Sequence, residues 1–327
     1  MYPSGLRLCR ALAAATLVVA PFLPAAAQTG AFPDRPIRVV VGTPAGSGID
    51  FILRVMSPTL QAELGQPLVI DNRPGADGIV AARLVAGAPP DGHVLLAATR
   101  TQIAVNPVIY ASIPYDPSRD LAPVSMLAYQ SILVVAHPSL PVRSIRELVD
   151  HTRAHPGSVN YGTGSSTFML ATEELRLATG ADLRHIPYNG VPPTVTAILA
   201  GDVHVALLDV TPALAAVRGG RLRALAVSGT TRLALLPDVP TLAESGVAGY
   251  ETPVWVAMYA PAGTPGGIVA RLGAAIARAL DAPEVREKLL AAGVAPAAST
   301  PERLVEVARR DTDATAALVR RLGLAPR

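Results

Sequence analysis

Two stretches of the chain put small, hydrogen-bonding residues where a strand gives way to a helix. The first is Gly42-Thr43-Pro44-Ala45-Gly46-Ser47-Gly48, with Asp50 in the opening turn of the helix that follows. Backbone N–H groups in such a turn can converge on an anion, and the positive end of the helix dipole favours negative charge there. The second is Gly162-Thr163-Gly164-Ser165-Ser166-Thr167, which adds hydroxyl donors to the same arrangement. Each also has a purely structural reading. Ser47-x-x-Asp50 fits a capping box, and the Ser/Thr cluster fits an N-cap. The first loop is neither a P-loop, because no Gly-Lys-Ser/Thr follows, nor a dinucleotide fingerprint, because its glycine spacing is wrong.

Catalytic constellations are thin. No Gly-x-Ser-x-Gly elbow is present, and Gly164-Ser165-Ser166 lacks the second glycine. His151 and His155 are spaced to share a helix face, but Pro156-Gly157 follows directly and no third metal ligand is in view, so a helix end competes with a metal site. Asp50 and Asp209 fall near strand ends; Asp209 either faces a site or caps the next turn. The single cysteine, Cys9, lies in the N-terminal segment, leaving the rest of the chain without disulfides, a thiol nucleophile or thiolate ligands. Lys288 is the sole lysine, basic and acidic totals nearly cancel once Arg7 and Arg10 are set aside, and aromatics make up 4%. Neither a basic stripe nor a stacking platform for nucleic acid is present.

The elements that must carry these loops alternate between short apolar strands and amphipathic helices. Strands are expected at Ile37–Val41, Leu68–Asp71 and Val94–Ala98, the last ending in Thr99-Arg100-Thr101, with helices at Asp50–Leu64 (kinked at Pro58 and closed by Gly65) and Ile79–Ala86. The second half repeats the logic. It has strands at Ile132–Ala136, Val159–Tyr161, Leu183–Pro187, Val203–Leu208 and Leu222–Val227, and helices at Ile145–Ala154, capped by Ser144 and Glu147, from the Ser/Thr loop to about Ala178, and from Pro193 to Leu199. A strand at Trp255–Tyr259 and helices at about Gly267–Leu280, Pro283–Ala292 and Pro301–Leu322 complete the chain. This pattern predicts an α/β protein with parallel-rich sheets. No flexible linker divides it, so two lobes joined by hinge strands are expected, with crossings near Ala128–Leu133 and Gly249–Trp255. Ahead of all this, Arg7 and Arg10, the apolar run Leu12–Leu23 and Ala25-Ala26-Ala27 fit a secretory signal cleaved before Gln28; as a membrane anchor the run is short of the roughly 20 residues a span needs.

The chain resembles the Bug-type extracytoplasmic substrate-binding proteins of tripartite tricarboxylate transporters. The resemblance runs from Phe32 to the C-terminus. It rests on an ordered set of segments: Pro33-x-Arg35-Pro36-Ile37, the Pro/Gly loop with Asp50, Leu64-Gly65-Gln66-Pro67, Asn72-Arg73-Pro74-Gly75-Ala76, Pro90-Asp91-Gly92, Asn106-Pro107, Tyr115-Asp116-Pro117 and Ala122-Pro123-Val124-Ser125. Pro187-Tyr188-x-Gly190, Leu222 to Val227, Leu236-Pro237-Asp238-Val239-Pro240-Thr241, Ala260 to Pro265 and Pro283-Glu284-Val285-Arg286 follow in the same order.

The resemblance implies a type II periplasmic-binding fold: residues 1–27 as signal, 28–130 with 251–327 as one lobe, and 131–250 as the other. It implies capture of a small organic acid without turnover and without a cofactor. The protein would be a periplasmic monomer that hands its solute to a tripartite-type permease, or to a sensor kinase in the signalling variant; an exported hydrolase is the enzymatic rival. Carried over by position, the ligand contacts are Pro44, Ala45, Gly46, Ser47, Gly48 and Asp50, with Thr163, Gly164, Ser165, Ser166 and Thr167. Thr99, Arg100, Thr101, Tyr188, Asn189 and Asp209 line the same cleft. The departures concern the ligand. The first loop lacks the usual Pro-Pro-Gly-Gly form, and the Ser/Thr loop is short, with Met169 where a histidine often stands. Leu208 replaces a common aspartate, with Asp209 beside it. Arg100 holds a position usually small and polar; it either faces the cleft and pairs a carboxylate bidentately or reaches solvent.

Overall fold

The computed structural model describes residues 32–250, 252 and 254–326. The signal expected over residues 1–27, with Cys9, lies outside them. From Phe32 onward the chain forms one compact unit. Its first part contains β1 (Ile37–Val41), α1 (Gly48–Leu64), β2 (Leu68–Asn72), α2 (Ile79–Ala86), β3 (Val94–Thr99), a π-turn at Thr101–Val105, α3 (Asn106–Ile109) and β4 (Leu121–Gln130). Next come β5 (Ile132–Ala136), α4 (Ile145–Ala154), β6 (Asn160–Thr163), α5 (Ser166–Thr179), β7 (Arg184–Pro187), α6 (Val191–Ala200), β8 (Val205–Asp209), α7 (Val210–Arg218) and β9 (Arg223–Val227). The last part is β10 (Val254–Pro261), α8 (Gly266–Asp281), α9 (Pro283–Leu290), β11 (Val294–Pro296) and α10 (Pro301–Arg321). Among the described residues no helix is long and apolar enough to cross a membrane.

Two sheets organise the unit, in the orders β11-β4-β10-β3-β1-β2 and β7-β6-β8-β5-β9. Strands linked through helices pair in parallel: β1 with β2 and β3, β6 with β7 and β8. All other pairings are antiparallel, β10 with β3 and β4, β11 with β4, and β5 with β8 and β9. The sheets are therefore mixed, where the strand–helix alternation predicts parallel-rich ones. The mixing comes chiefly from β5 and β10, each the first strand after the chain passes from one sheet to the other, which insert antiparallel to both of their neighbours. One such transfer occupies a single residue, Ser131, between β4 and β5; the other precedes β10.

Side-chain alternation buries both faces of the first sheet. Val39 and Val41 of β1 join Val256 and Met258 of β10 in a core under α1 and α8, while Val40, Trp255 and Tyr259 point to the opposite core. The second sheet has its own core, to which β5 and β8 contribute every residue from Ile132 to Ala136 and from Val205 to Leu208. A small apolar cluster, Val105, Ile109, Met169, Leu170, Leu318 and Val319, ties α3, α5 and α10 together across the two sheets.

Several local expectations change. α1 starts two residues early, at Gly48, is helical on both sides of Pro58, and ends on Gly65, whose left-handed φ of 74° lets its N–H reach the Gln61 carbonyl. The Ser47/Asp50 capping box does not form: Ser47 Oγ lies 2.6 Å from Thr43 Oγ1 and makes no cap bond. At α4, Ser144 Oγ accepts the Glu147 N–H at 3.1 Å, but Glu147 takes the Arg143 N–H, so only half of that box exists. β4 and α7 carry no assignment in the sequence reading. Pro123 and Ser125 interrupt the apolar pattern of β4, which becomes a strand because β10 pairs along its length.

Candidate functional site

The carboxyl ends of β1, β3, β6 and β8 open onto one cavity of about 250 Å³, where ligands of open α/β sheets are bound. Three helices begin on its wall, α1 at Gly48, α5 at Ser166 and α6 at Val191; a fourth, α7, follows Asp209, which also lines it. Each helix leaves its first N–H groups without intrahelical partners and directs a positive dipole end toward the cavity. Pro192 and Pro193 delete donors from the first turn of α6. The donor-rich termini are thus α1, from the first sheet, and α5, from the second.

The loop between β1 and α1 is held from beneath. Asn72 Nδ2 donates to the Thr43 carbonyl and to Asp50 Oδ1, both at 3.1 Å. Asp50 Oδ2 accepts the Gly46 N–H at 2.9 Å, and Arg54 bonds both carboxylate oxygens. Burial pushes the Asp50 carboxyl up, but these hydrogen bonds and the Arg54 charge outweigh it and hold the group below the ordinary aspartate range. Asp50 is consequently a brace for the loop and not part of the cavity wall. Ala45 and Gly46, also expected at the ligand, form the exposed tip of the loop, away from the cavity. Pro44, Ser47 and Gly48 do line it.

The other expected residues, Thr99, Thr101, Thr163, Gly164, Ser165, Ser166, Thr167, Tyr188, Asn189 and Asp209, all border the same cavity. Among the contacts that join the sheets here are a hydroxyl pair and a proline–glycine packing. Thr101 Oγ1 lies 2.8 Å from Thr167 Oγ1, both buried. Pro44 packs on Gly190, where a Cβ would fall 2.6 Å from Pro44 Cδ and where φ is 112°, so only glycine fits. Thr163 Oγ1 is 2.6 Å from Nε2 of His185, whose ring stacks on Tyr161 at 4.9 Å.

At the floor, Gln130 ends β4 in register with Val254, and Asp209 ends β8 in register with Ile132. Gln130 Nε2 and Asp209 Oδ1 are buried without a hydrogen-bond partner. Burial alone pushes the Asp209 carboxyl up to about 7. Asp209 occupies the N-cap position of α7 yet makes no side-chain cap bond, so the capping role open to it from sequence is not the one it takes.

Arg100 borders the cavity and is buried, so the solvent-reaching alternative does not hold; its guanidinium is held mainly by α10, and Nη1 is buried without a hydrogen-bond partner. Nε donates to both oxygens of Asp311 at 3.0 and 2.8 Å, and Nη2 donates to Thr315 Oγ1 at 2.9 Å. Asp311 and Thr315 lie on α10, more than 200 residues away, and nothing near Arg100 in sequence announces them. His151 and His155 stack at 4.6 Å at the end of α4, with His155 Nδ1 3.2 Å from the His151 carbonyl. Among the described residues no three metal-binding side chains gather.

Sequence reasoning missed Asp77, Tyr110, Gln130 and His185 on the wall. Asp77 had a signal: the segment Pro74-Gly75-Ala76-Asp77-Gly78 is a third glycine-rich turn between a strand and a helix. Gln130 had none, because Pro123 and Ser125 break the alternation that would mark its strand.

Two sheets exchanging the chain twice, with their strand ends meeting over a ligand-sized cavity, define the class: this is a two-lobed binding protein of the periplasmic type. Within that class the chain belongs to the tripartite tricarboxylate transporter family receptor (TctC) family, whose model matches residues 52–324. It is 36% identical over 283 residues to the protein BugT of Bordetella pertussis (strain Tohama I), covering 86% of each chain. The structure of R. palustris Rpa4515 with adipate matches with a TM-score of 0.88 at 32% identity, covering 90% of this chain and 100% of that one. MatC from Rhodopseudomonas palustris with bound malate matches with a TM-score of 0.82 at 29% identity, covering 88% of this chain and 100% of that one.

Proposed function

We propose that this protein captures a small organic acid between its lobes in the periplasm and delivers it, unchanged, to a membrane permease of the tripartite type. The observation that carries the reading is the N-terminus of α1, whose first turn opens on the cavity and is faced from the other sheet by the Ser/Thr loop before α5. Such a terminus solvates a carboxylate with fixed N–H dipoles, so no formal cation is required. The adipate and malate complexes of two relatives support the ligand class.

In this reading the lobes are residues 28–130 with 251–327, and 131–250. They close by hinge motion about the Gln130–Ile132 transfer and the return before Val254. The carboxylate lies at the first turn of α1 with Pro44, Ser47 and Gly48, and Thr163, Ser165 and Thr167 approach from the other lobe. Thr99, Thr101, Tyr188 and Asn189 flank it. The protein acts as a monomer and catalyses nothing.

The test is titration calorimetry of protein first unfolded and refolded to strip retained solute, against a panel of small mono- and dicarboxylates. The expected result is one-to-one binding of one acid class, with the acid recovered intact. A saturating solute should also stabilise the fold, by roughly 2.7 kcal/mol at a hundredfold excess over Kd. Binding by none of the acids, or chemical conversion of the bound one, overturns the reading.

A further inference from the structure

The cleft contains a carboxylate of its own. Asp77, in the Ala76–Gly78 turn of the first lobe, has a left-handed backbone at φ 55°, ψ 32°, a conformation aspartate tolerates better than most residues. Its Oδ1 accepts the N–H of Ser166, the first residue of α5, at 3.2 Å. Its Oδ2 accepts the Ser166 hydroxyl and, at 3.0 Å, the Tyr110 hydroxyl. Asn106 Nδ2 holds the Asp77 carbonyl at 3.1 Å. An aspartate of one lobe therefore occupies the place at the α5 N-terminus that an anionic ligand group would take.

This changes what the cavity accepts. The leading donor of α5 is committed, and a second carboxylate at that end would meet Asp77 as a like charge in a partly dry cleft. Arg100 is the only arginine or lysine among the described lining residues, and its charge is already paired: Nε donates to Asp311 and Nη2 to Thr315, while Nη1 is buried without a hydrogen-bond partner. The first turn of α1 stays available to an anion. A carboxylate has about four acceptor positions, and three of those on Asp77 are used, so one remains for a donor. The partnerless Gln130 Nε2 and Asp209 Oδ1, each on a side chain more than nine-tenths buried and lining the same cavity, are independent evidence that a polar solute completes it.

We propose that Asp77 is a specificity-determining residue that restricts the protein to solutes with a single carboxylate, held at α1. The other end of the solute carries a hydroxyl, amide or ammonium donor, received by Asp77. This rests on the carboxylate-binding reading above and names the subclass within it.

The experiment compares four-, five- and six-carbon series of the diacid, the ω-hydroxy acid and the ω-amino acid, by calorimetry, on the wild type, Asp77→Asn and Asp77→Gly. Asparagine keeps the size and the tolerance for left-handed backbone; glycine relieves the backbone and removes the side chain. Thermal unfolding checks that each variant folds. The wild type should bind the hydroxy or amino acid of the fitting length about tenfold or more tighter than its diacid, the scale of a screened like-charge contact. Both variants should gain for the diacid and lose for the amino acid. A wild type that binds the diacid equally well, or variants that move all three acids by one factor, overturns the proposal while leaving carboxylate binding intact. Binding of no acid by any of the three proteins overturns the carboxylate reading and this proposal with it.

Discussion

Arg100 Nε donates to both carboxylate oxygens of Asp311, at 3.0 and 2.8 Å, across 211 residues of sequence, and both side chains are buried. Trp255 Nε1 donates to the same carboxylate at 2.8 Å. β3, β10 and α10 therefore meet at one charge pair behind the cleft. Breaking such a pair strands a buried charge, at a cost of about 3–5 kcal/mol. Arg100→Ala should lower the unfolding free energy by that amount in urea titrations, with little change in solute affinity for the protein that remains folded. Arg100→Met with Asp311→Leu should recover much of the loss. A large affinity loss at unchanged stability would restore the ligand-pairing role for Arg100.

Asp209 makes stability depend on pH. Its folded carboxyl sits at about 7, against an ordinary value of 3.8. Between about pH 4 and pH 7 the folded protein therefore holds a proton that the unfolded chain has released. Stability from this group is present below that window and declines as pH rises through it, by up to about 4 kcal/mol at ~1.4 kcal/mol per unit. Denaturant unfolding should show wild type less stable at pH 8 than at pH 5, and Asp209→Asn should remove most of the difference. Parallel pH profiles for the two proteins would contradict this account of the buried acid.

Gly48 keeps the cavity floor open. A Cβ there would lie 2.2 Å from Gln130 Nε2 and 3.0 Å from Asp209 Oδ2. Alanine suits a helix, and the Gln130 amide can swing aside, so Gly48→Ala should change stability by no more than about 1 kcal/mol. Solute affinity should fall about tenfold, ~1.4 kcal/mol, because the displaced amide and the new methyl both enter the cavity. Calorimetry beside thermal unfolding separates the two effects, and unchanged affinity would place the solute away from this floor.

The Thr101–Thr167 contact links the lobes through two buried hydroxyls. Thr101→Val leaves the Thr167 hydroxyl unpaired in the closed form, a penalty of about 1–3 kcal/mol. Affinity should fall accordingly, and small-angle scattering at subsaturating solute should report a larger open fraction. The double Thr101→Val, Thr167→Val protein should lie nearer wild type, since neither partner is then stranded. If single and double variants weaken binding alike, the two hydroxyls act on the solute separately and not on each other.

What can be read in sequence here is what depends on neighbours along the chain. The apolar run Ile132–Ala136 and the capped, amphipathic Ile145–Ala154 occur over those same residues in the structure. The Pro/Gly loop before α1 and the Ser/Thr loop before α5 both border the cavity, because strand, turn and helix signals act within a few residues. β4 was not legible, since its strand conformation comes from pairing with β10 and not from its own alternation.

The sequence by itself determined the family, the repeated strand–loop–helix units and the two loops that open on the cleft. Only the tertiary structure decided which polar side chains line the cavity and which face each other. Asp77 meets Ser166 across 89 residues, and Arg100 meets Asp311 across 211. Side-chain charge and hydrogen-bonding capacity are properties of single residues, but the partner that satisfies them is chosen by how distant elements pack, and a buried polar group takes whichever partner packing provides.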